Sequence, residues 1–154
     1  MDDFLMDTLT HSGAGWTIRP AAPIDHPGIA EVFLSCLSAF PWRGSPRREL
    51  SSMENALLSG ECFVAYVPQA GVVGFVIYDT ITAYISHLFV DDDWRFCGIG
   101  STLLKLARDV VARPVRLDVD EQNEAALTVY RALGWTEVIE TPGPSRGQRR
   151  MISP

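Results

Sequence analysis

The sequence predicts a single α/β domain, with a mixed central sheet of roughly six to seven strands flanked by about four helices. Three observations predict it. The hydrophobic pattern switches between period two and period 3.6 along the chain, marking strands and helices in turn. The elements so marked run β, α, α, β, β, β, α, β, α, β, β, with antiparallel hairpins ahead of a β–α–β–α unit. The chain has 154 residues, 47% hydrophobic and 21% charged, which suits one hydrophobic core. That domain spans residues 16–154 and contains no internal repeat. Residues 1–15 mix polar, acidic and glycine positions and are expected to form a loose N-terminal leader.

Trp16-Thr17-Ile18-Arg19 alternates and meets Pro20, a short first strand. Asp25 or His26 sits near a helix cap with Pro27 in the first turn, and Ile29, Val32, Phe33, Leu37 and Phe40 recur at helical spacing up to Pro41. After the loop Trp42-Arg43-Gly44-Ser45-Pro46, a second helix runs from Glu49 to Leu58 and ends at Gly60. Cys62–Val67 and Val72–Tyr78 form a hairpin around the turn Pro68-Gln69-Ala70-Gly71. Ala83–Val90 is a third long β run, stopped by Asp91-Asp92-Asp93. Leu103, Leu104, Ala107, Val110 and Val111 then share one face of an amphipathic helix. Pro114 opens a short strand, Val115–Val119. Glu124–Leu133 is a helix whose left-handed cap falls on Gly134. Trp135–Glu140 is a strand, and Gln148–Ser153 is a last edge strand beyond a Pro/Gly turn.

Net charge is −6. Binding to nucleic-acid phosphates usually needs the opposite sign, so no nucleic-acid partner is expected, whereas an acidic surface suits a cationic amine. Cys36, Cys62 and Cys97 are odd in number and lack a repeating spacing, so they do not form a disulfide framework. There is no CxxC pair, and His11, His26 and His87 are scattered, so no metal is expected. Asp2, Asp3 and Asp7 stand where a signal peptide would be basic. No apolar run approaches the roughly 20 residues that span a bilayer. No membrane partner is expected, and the expected location is the cytoplasm.

The most informative stretch is Leu88-Phe89-Val90-Asp91-Asp92-Asp93-Trp94-Arg95-Phe96-Cys97-Gly98-Ile99-Gly100-Ser101. A strand ends, a loop follows, and two glycines open a helix. Glycine lets backbone N–H groups approach an anion without an intervening Cβ, and a helix N-terminus adds free donors and a partial positive charge. Together they can hold a pyrophosphate, with Arg95 as a nearby cation. The same glycines also suit a bare strand-to-helix turn. A Rossmann fingerprint is ruled out by the missing third glycine and the late position, and a Walker loop by the missing lysine before Ser101.

This stretch, with its Arg95-x-x-Gly98-x-Gly100, resembles the acyl-CoA loop of the GNAT N-acetyltransferases, whose pattern is Gln/Arg-x-x-Gly-x-Gly/Ala. A second signature of that family follows downstream in Asn123, Ala126, Tyr130, Gly134 and Trp135. The resemblance covers roughly residues 16–140. It implies the GNAT acyltransferase fold, with the sheet splayed between the fourth and fifth strands, and acetyl-CoA as cosubstrate.

In that fold the pantetheine arm lies in the gap and pairs with backbone like an added strand. The resemblance therefore assigns the main chain of Leu88, Phe89 and Val90 to the acyl and pantetheine groups. It assigns Arg95, Phe96, Cys97, Gly98, Ile99, Gly100 and Ser101 to the pyrophosphate. Asn123 would bond the pantetheine arm or cap its helix, or both. Tyr130 takes the family's general-acid position, where the alternative is a core tyrosine. For the general base the resemblance offers Asp118 or His87, or a water chain with no single base. Asp79 and Tyr84 belong to the same strand region. Relatives usually carry glycine or a basic residue at the positions of Phe96 and Cys97, so this loop lacks a phosphate-binding cation there. Phe33, Phe40, Trp42 and Arg43 either line the acceptor site or fill the core and a loop.

The implied function is acetyl-CoA-dependent N-acetylation of a primary amine on a small-molecule acceptor, by direct attack. The alternatives are a non-catalytic acyl-CoA-binding module and a protein N-terminal or lysine acetyltransferase. By analogy the fold also allows a homodimer.

Overall fold

The computed structural model describes residues 15–41 and 44–154. The expected leader before Gly15, and Trp42 and Arg43, lie outside the described residues.

Strand β3, Gly71–Asp79, lies inside the sheet, and its residues 73–78 are all buried. A continuous apolar run of this kind fits a strand covered on both faces. Phe75 and Ile77 pack with Ile29, Val32 and Phe33 of helix α1, His26–Leu37, and with Met53 of helix α2, Pro46–Ser59. Val76 and Tyr78 pack on the other face with Ile99, Leu103 and Ala107 of helix α3, Ile99–Val111. Helix α4, Glu124–Ala132, lies on that second face through Leu127. Gly74 permits the close approach of α3, because a Cβ there would stand 3.2 Å from Ile99 Cγ2 and from Phe89 O.

The remaining strands are β1 Thr17–Pro20, β2 Glu61–Val67, β4 Tyr84–Val90, β5 Arg116–Asp120, β6 Thr136–Glu137 and β7 Gln148–Ile152. The seven strands run in the order β1-β2-β3-β4-β5-β7-β6. This is the expected α/β class with the expected strand count. The last strand departs from expectation: β7 is not an edge strand but lies between β5 and β6, antiparallel to both. It pairs with β5 over five positions, and the edge falls to the two-residue β6 in place of the expected Trp135–Glu140. So short an edge offers little template for pairing with another chain.

Local differences have local causes. Helix α2 starts at Pro46, earlier than Glu49, because proline is tolerated in the first turn after Ser45. Helix α1 ends at Leu37, so Phe40 lies beyond it. Asp25 does not cap α1 through its side chain. It takes both Arg19 guanidinium nitrogens, at 2.6 and 2.9 Å, and the Ala22 N–H at 2.8 Å, which fixes the entry into α1. Leu106 joins the buried face of α3, while Val110 is 45% exposed. Gly134 has the expected positive φ, 91°.

The expected splay is present. β4 and β5 run parallel but pair only at Tyr84 and Arg116, where Arg116 N donates to Ala83 O at 2.8 Å. Beyond that point they part. A bulge in the β3–β4 ladder between Ile77 and Tyr78 sits at the start of the divergence. Bulges raise local twist and bend the strand that carries them.

Candidate active site

The parting of β4 and β5 leaves a cleft of about 90 Å³ that passes through the sheet. Strand alternation gives it two mouths. Leu88, Leu117 and Val119 face α3 and α4, where Ala126 and Tyr130 pack against the same core and Asn123 lines the cleft. His87 and Phe89 face α1, each edge-on to Phe33, with ring centroids 5.7 and 5.1 Å away. Asp118 and Asp120 alternate with Leu117 and Val119 along β5 and so share the α1 side.

The backbone of β4 is open towards this cleft. Asp91 N donates to Val73 O at 2.8 Å, so the ladder to β3 engages alternate residues, Asp91, Phe89 and His87. The main-chain groups of Leu88 and Val90 therefore point away from β3, into the gap that β5 does not fill. Among the described residues Val90 O receives only long contacts there, from Arg95 Nε and Cys36 Sγ, both at 3.4 Å.

The cleft leads to the start of α3. Gly98 is the N-cap at φ +84°, a conformation that favours glycine, and no side chain among the described residues caps the helix. The first helical bond runs from Thr102 N to Gly98 O. The N–H groups of Ile99, Gly100 and Ser101 have no acceptor among the described residues. Gly100 answers no internal need: a Cβ there would meet nothing closer than Val90 Cγ2, at 3.9 Å. Glycine in a helix costs about 1 kcal/mol relative to alanine, and no described packing contact offsets that. An uncapped helix start with clear space over its donors fits a phosphate group. Arg95 stands beside it, paired with Asp92 at 3.1 Å. Phe96 is fully exposed at φ +64°, and the Cys97 thiol turns back to Arg95 O at 3.6 Å. Ser101 Oγ turns back to Gly98 O.

The candidate catalytic residues differ in how they are held. Tyr130 is half-buried, lies 5.4 Å from the Trp135 ring, and makes no hydroxyl hydrogen bond with any described residue. Burial pushes its pKa up to about 12. Asn123 Oδ1 accepts from Ala126 N at 3.2 Å, so the capping role is present while the residue also lines the cleft. His87 is buried, with Nδ1 2.8 Å from Ser86 Oγ. Asp118 is clamped by Arg150 Nε at 2.9 Å, Arg150 Nη2 at 3.1 Å and the Tyr84 hydroxyl at 2.9 Å. Asp79 is a turn residue: it accepts from Ile81 N and Thr82 N. Phe33 is fully buried core, whereas Phe40 lines the cleft. Arg150 and Asp120 escaped the sequence reading. Gln148–Ser153 reads as a strand in the sequence, but its partner strand does not follow from local pattern.

The chain matches the Acetyltransferase (GNAT) family over residues 28–135. It is 29% identical over 134 residues to the Cysteine-rich protein 2-binding protein of Homo sapiens, covering 82% of this chain and 16% of that much longer protein. PH1933 from Pyrococcus horikoshii OT3 has the same fold, with a TM-score of 0.71 at 23% identity over 90% of this chain and 97% of that one. So does the PaiA N-acetyltransferase of Thermoplasma acidophilum, solved in complex with coenzyme A. Its TM-score is 0.74 at 18% identity, over 90% of this chain and 98% of that one. The matched residues run from α1 through the glycine loop to Trp135 and so contain both the cleft and the uncapped helix start: this chain belongs to the GNAT family of acetyltransferases.

Proposed function

We propose that this chain is an acetyl-CoA-dependent N-acetyltransferase that acts in the cytoplasm on a primary amine of a small-molecule acceptor. One observation carries the reading: the open backbone edge of Leu88 and Val90 runs along the β4–β5 gap to the uncapped N–H groups of Ile99, Gly100 and Ser101. An extended amide-bearing arm suits the first, as an added strand, and a pyrophosphate suits the second. The PaiA enzyme of the same fold was solved with coenzyme A, which supports the choice of ligand. No helix among the described residues is long and apolar enough to cross a membrane.

Bound acetyl-CoA supplies an activated acyl carbon. The Leu88 and Val90 N–H groups face the gap and offer donors to the acyl oxygen and the pantetheine amides. The amine enters from the α1 mouth. Its nitrogen bonds to the acyl carbon, the carbon–sulfur bond breaks, and the electron pair stays on sulfur. The His87 imidazole takes a proton from the amine, and the Tyr130 hydroxyl gives one to sulfur. Burial pushes the Tyr130 pKa up to about 12, so its hydroxyl keeps its proton at neutral pH and has it to give to the departing thiolate. Asp118 serves here as a positioning residue, because both its oxygens already accept from Arg150. Release of free thiol from acetyl-CoA that depends on an added primary amine tests this reading. Absence of release across a broad set of amines contradicts it.

A further inference from the structure

The loop that leads into α3 is tied down on both sides of Phe96. Trp94 and Cys97 pack against the core cluster that holds Ile99 and Leu103. The Arg95 guanidinium reaches Asp92 at 3.1 Å and Val90 O at 3.4 Å. The Cys97 thiol turns to Arg95 O at 3.6 Å. Phe96, between these tethered residues, is fully exposed and stands at φ +64°. A left-handed backbone is unfavourable for a bulky residue, and such strain persists only where the surrounding structure imposes it. The ring joins neither hydrophobic cluster, so no packing among the described residues offsets that cost. Phe96 also lies two residues before the N-cap Gly98, which puts the two Cα atoms within roughly 8 Å of each other. The strained, exposed aromatic therefore stands beside the uncapped start of α3.

We infer that Phe96 is the platform on which the adenine ring of CoA stacks. The inference rests on the acetyl-CoA reading above and adds a subsite to it. With the pyrophosphate on the N–H groups of Ile99, Gly100 and Ser101, the adenosine is joined to it through its ribose and has to settle beside the same loop. A purine presents an apolar face, the Phe96 ring presents another, and stacking removes both from water. The backbone at φ +64° already holds the ring outside the fold, so the platform is in place before the ligand arrives and little ordering is left to oppose binding. The consequence is a preference set by the length of the cosubstrate. A thioester that carries adenosine binds better than the same thioester cut back to its phosphopantetheine arm, and the share of that preference due to stacking disappears with the Phe96 ring.

The test is a set of direct titrations of the wild type, Phe96→Asn and Phe96→Trp with acetyl-CoA and with S-acetyl-phosphopantetheine, which lacks the adenosine. Asparagine tolerates the left-handed backbone and removes the ring, whereas tryptophan keeps a ring at the same strained position. Phe96→Asn should bind acetyl-CoA about tenfold more weakly, bind S-acetyl-phosphopantetheine as the wild type does, and melt no lower than the wild type. Phe96→Trp should bind acetyl-CoA at least as well as the wild type. Unchanged acetyl-CoA affinity in Phe96→Asn overturns the inference and leaves the cosubstrate assignment intact. Equal losses with both ligands, or a loss in Phe96→Trp as large as that in Phe96→Asn, also overturn it, because Phe96 would then act through the loop backbone. Failure of the wild type to bind acetyl-CoA overturns both.

Discussion

Asp118 and Arg150 face each other in register across β5 and β7, and both carboxylate oxygens receive guanidinium donors, at 2.9 and 3.1 Å. The side chains are only 9% and 15% exposed. The Tyr84 hydroxyl reaches the same carboxylate from β4 at 2.9 Å, so the cluster ties β4, β5 and β7 together beside the point where β4 and β5 part. Asp118→Asn should therefore act on stability more than on chemistry. Leaving Arg150 short of its partner should cost about 3 kcal/mol. In thermal melts that is a drop in Tm on the order of 10 °C. At a temperature where the variant is folded, kcat should fall by less than about tenfold, whereas His87→Gln should lower it by about 10²-fold. A fall in Asp118→Asn as large as that in His87→Gln would restore Asp118 as the base.

Tyr130 is held against Trp135 with its hydroxyl unclaimed by the described residues, so Tyr130→Phe removes a proton donor and little packing. kcat should fall by about 10²-fold or more, with acetyl-CoA affinity unchanged. Because burial raises this pKa to about 12, the hydroxyl stays protonated well above the ordinary tyrosine value. Its loss of a proton should therefore not limit the rate of the wild-type enzyme below about pH 10. The same shift favours the neutral folded form, so its stabilising contribution is full below pH 10 and fades as the pH rises towards 12.

Gly100 separates folding from binding. A methyl group fits the fold there without a close contact, so Gly100→Ala should leave Tm unchanged or raise it. The same methyl stands over donors assigned to phosphate, so acetyl-CoA affinity should fall, and Gly100→Val should lower it further. Equal affinity in all three proteins would remove the helix start from the binding site.

The Arg19 guanidinium beside Asp25, reinforced by the Ala22 N–H, holds the Asp25 carboxyl below the usual carboxylate range. A lowered carboxylate pKa stabilises the fold above the ordinary value near 4 and loses that contribution as the pH falls through the lowered one. Asp25→Asn should melt earlier than the wild type at pH 7, and the difference should shrink as the pH falls below the ordinary carboxylate range. A constant difference across that range would mean the effect of Asp25 is not its charge.

The sequence made visible what depends on neighbours along the chain. The order of strands and helices, the glycine loop, the Asn123 cap and the left-handed Gly134 all follow from local pattern. Pro46 could have been recognised as a first-turn residue behind Ser45. What stayed hidden depends on strand order. Nothing local says that β7 inserts between β5 and β6, and without that insertion Arg150 cannot be matched to Asp118, 32 positions away. Asp118 therefore resembled an available base when its partner was unknown. Phe40 resembled a helix residue because its spacing from Leu37 continues the stripe, although α1 has already ended.

The most direct test is a calorimetric titration of the purified protein with acetyl-CoA, run beside Gly100→Val. Saturable one-to-one binding at micromolar concentrations, lost in the variant, is the expected result. No heat of binding at millimolar acetyl-CoA, in a protein that melts cooperatively, would contradict the assignment of the β4–β5 gap and the α3 start to this cosubstrate.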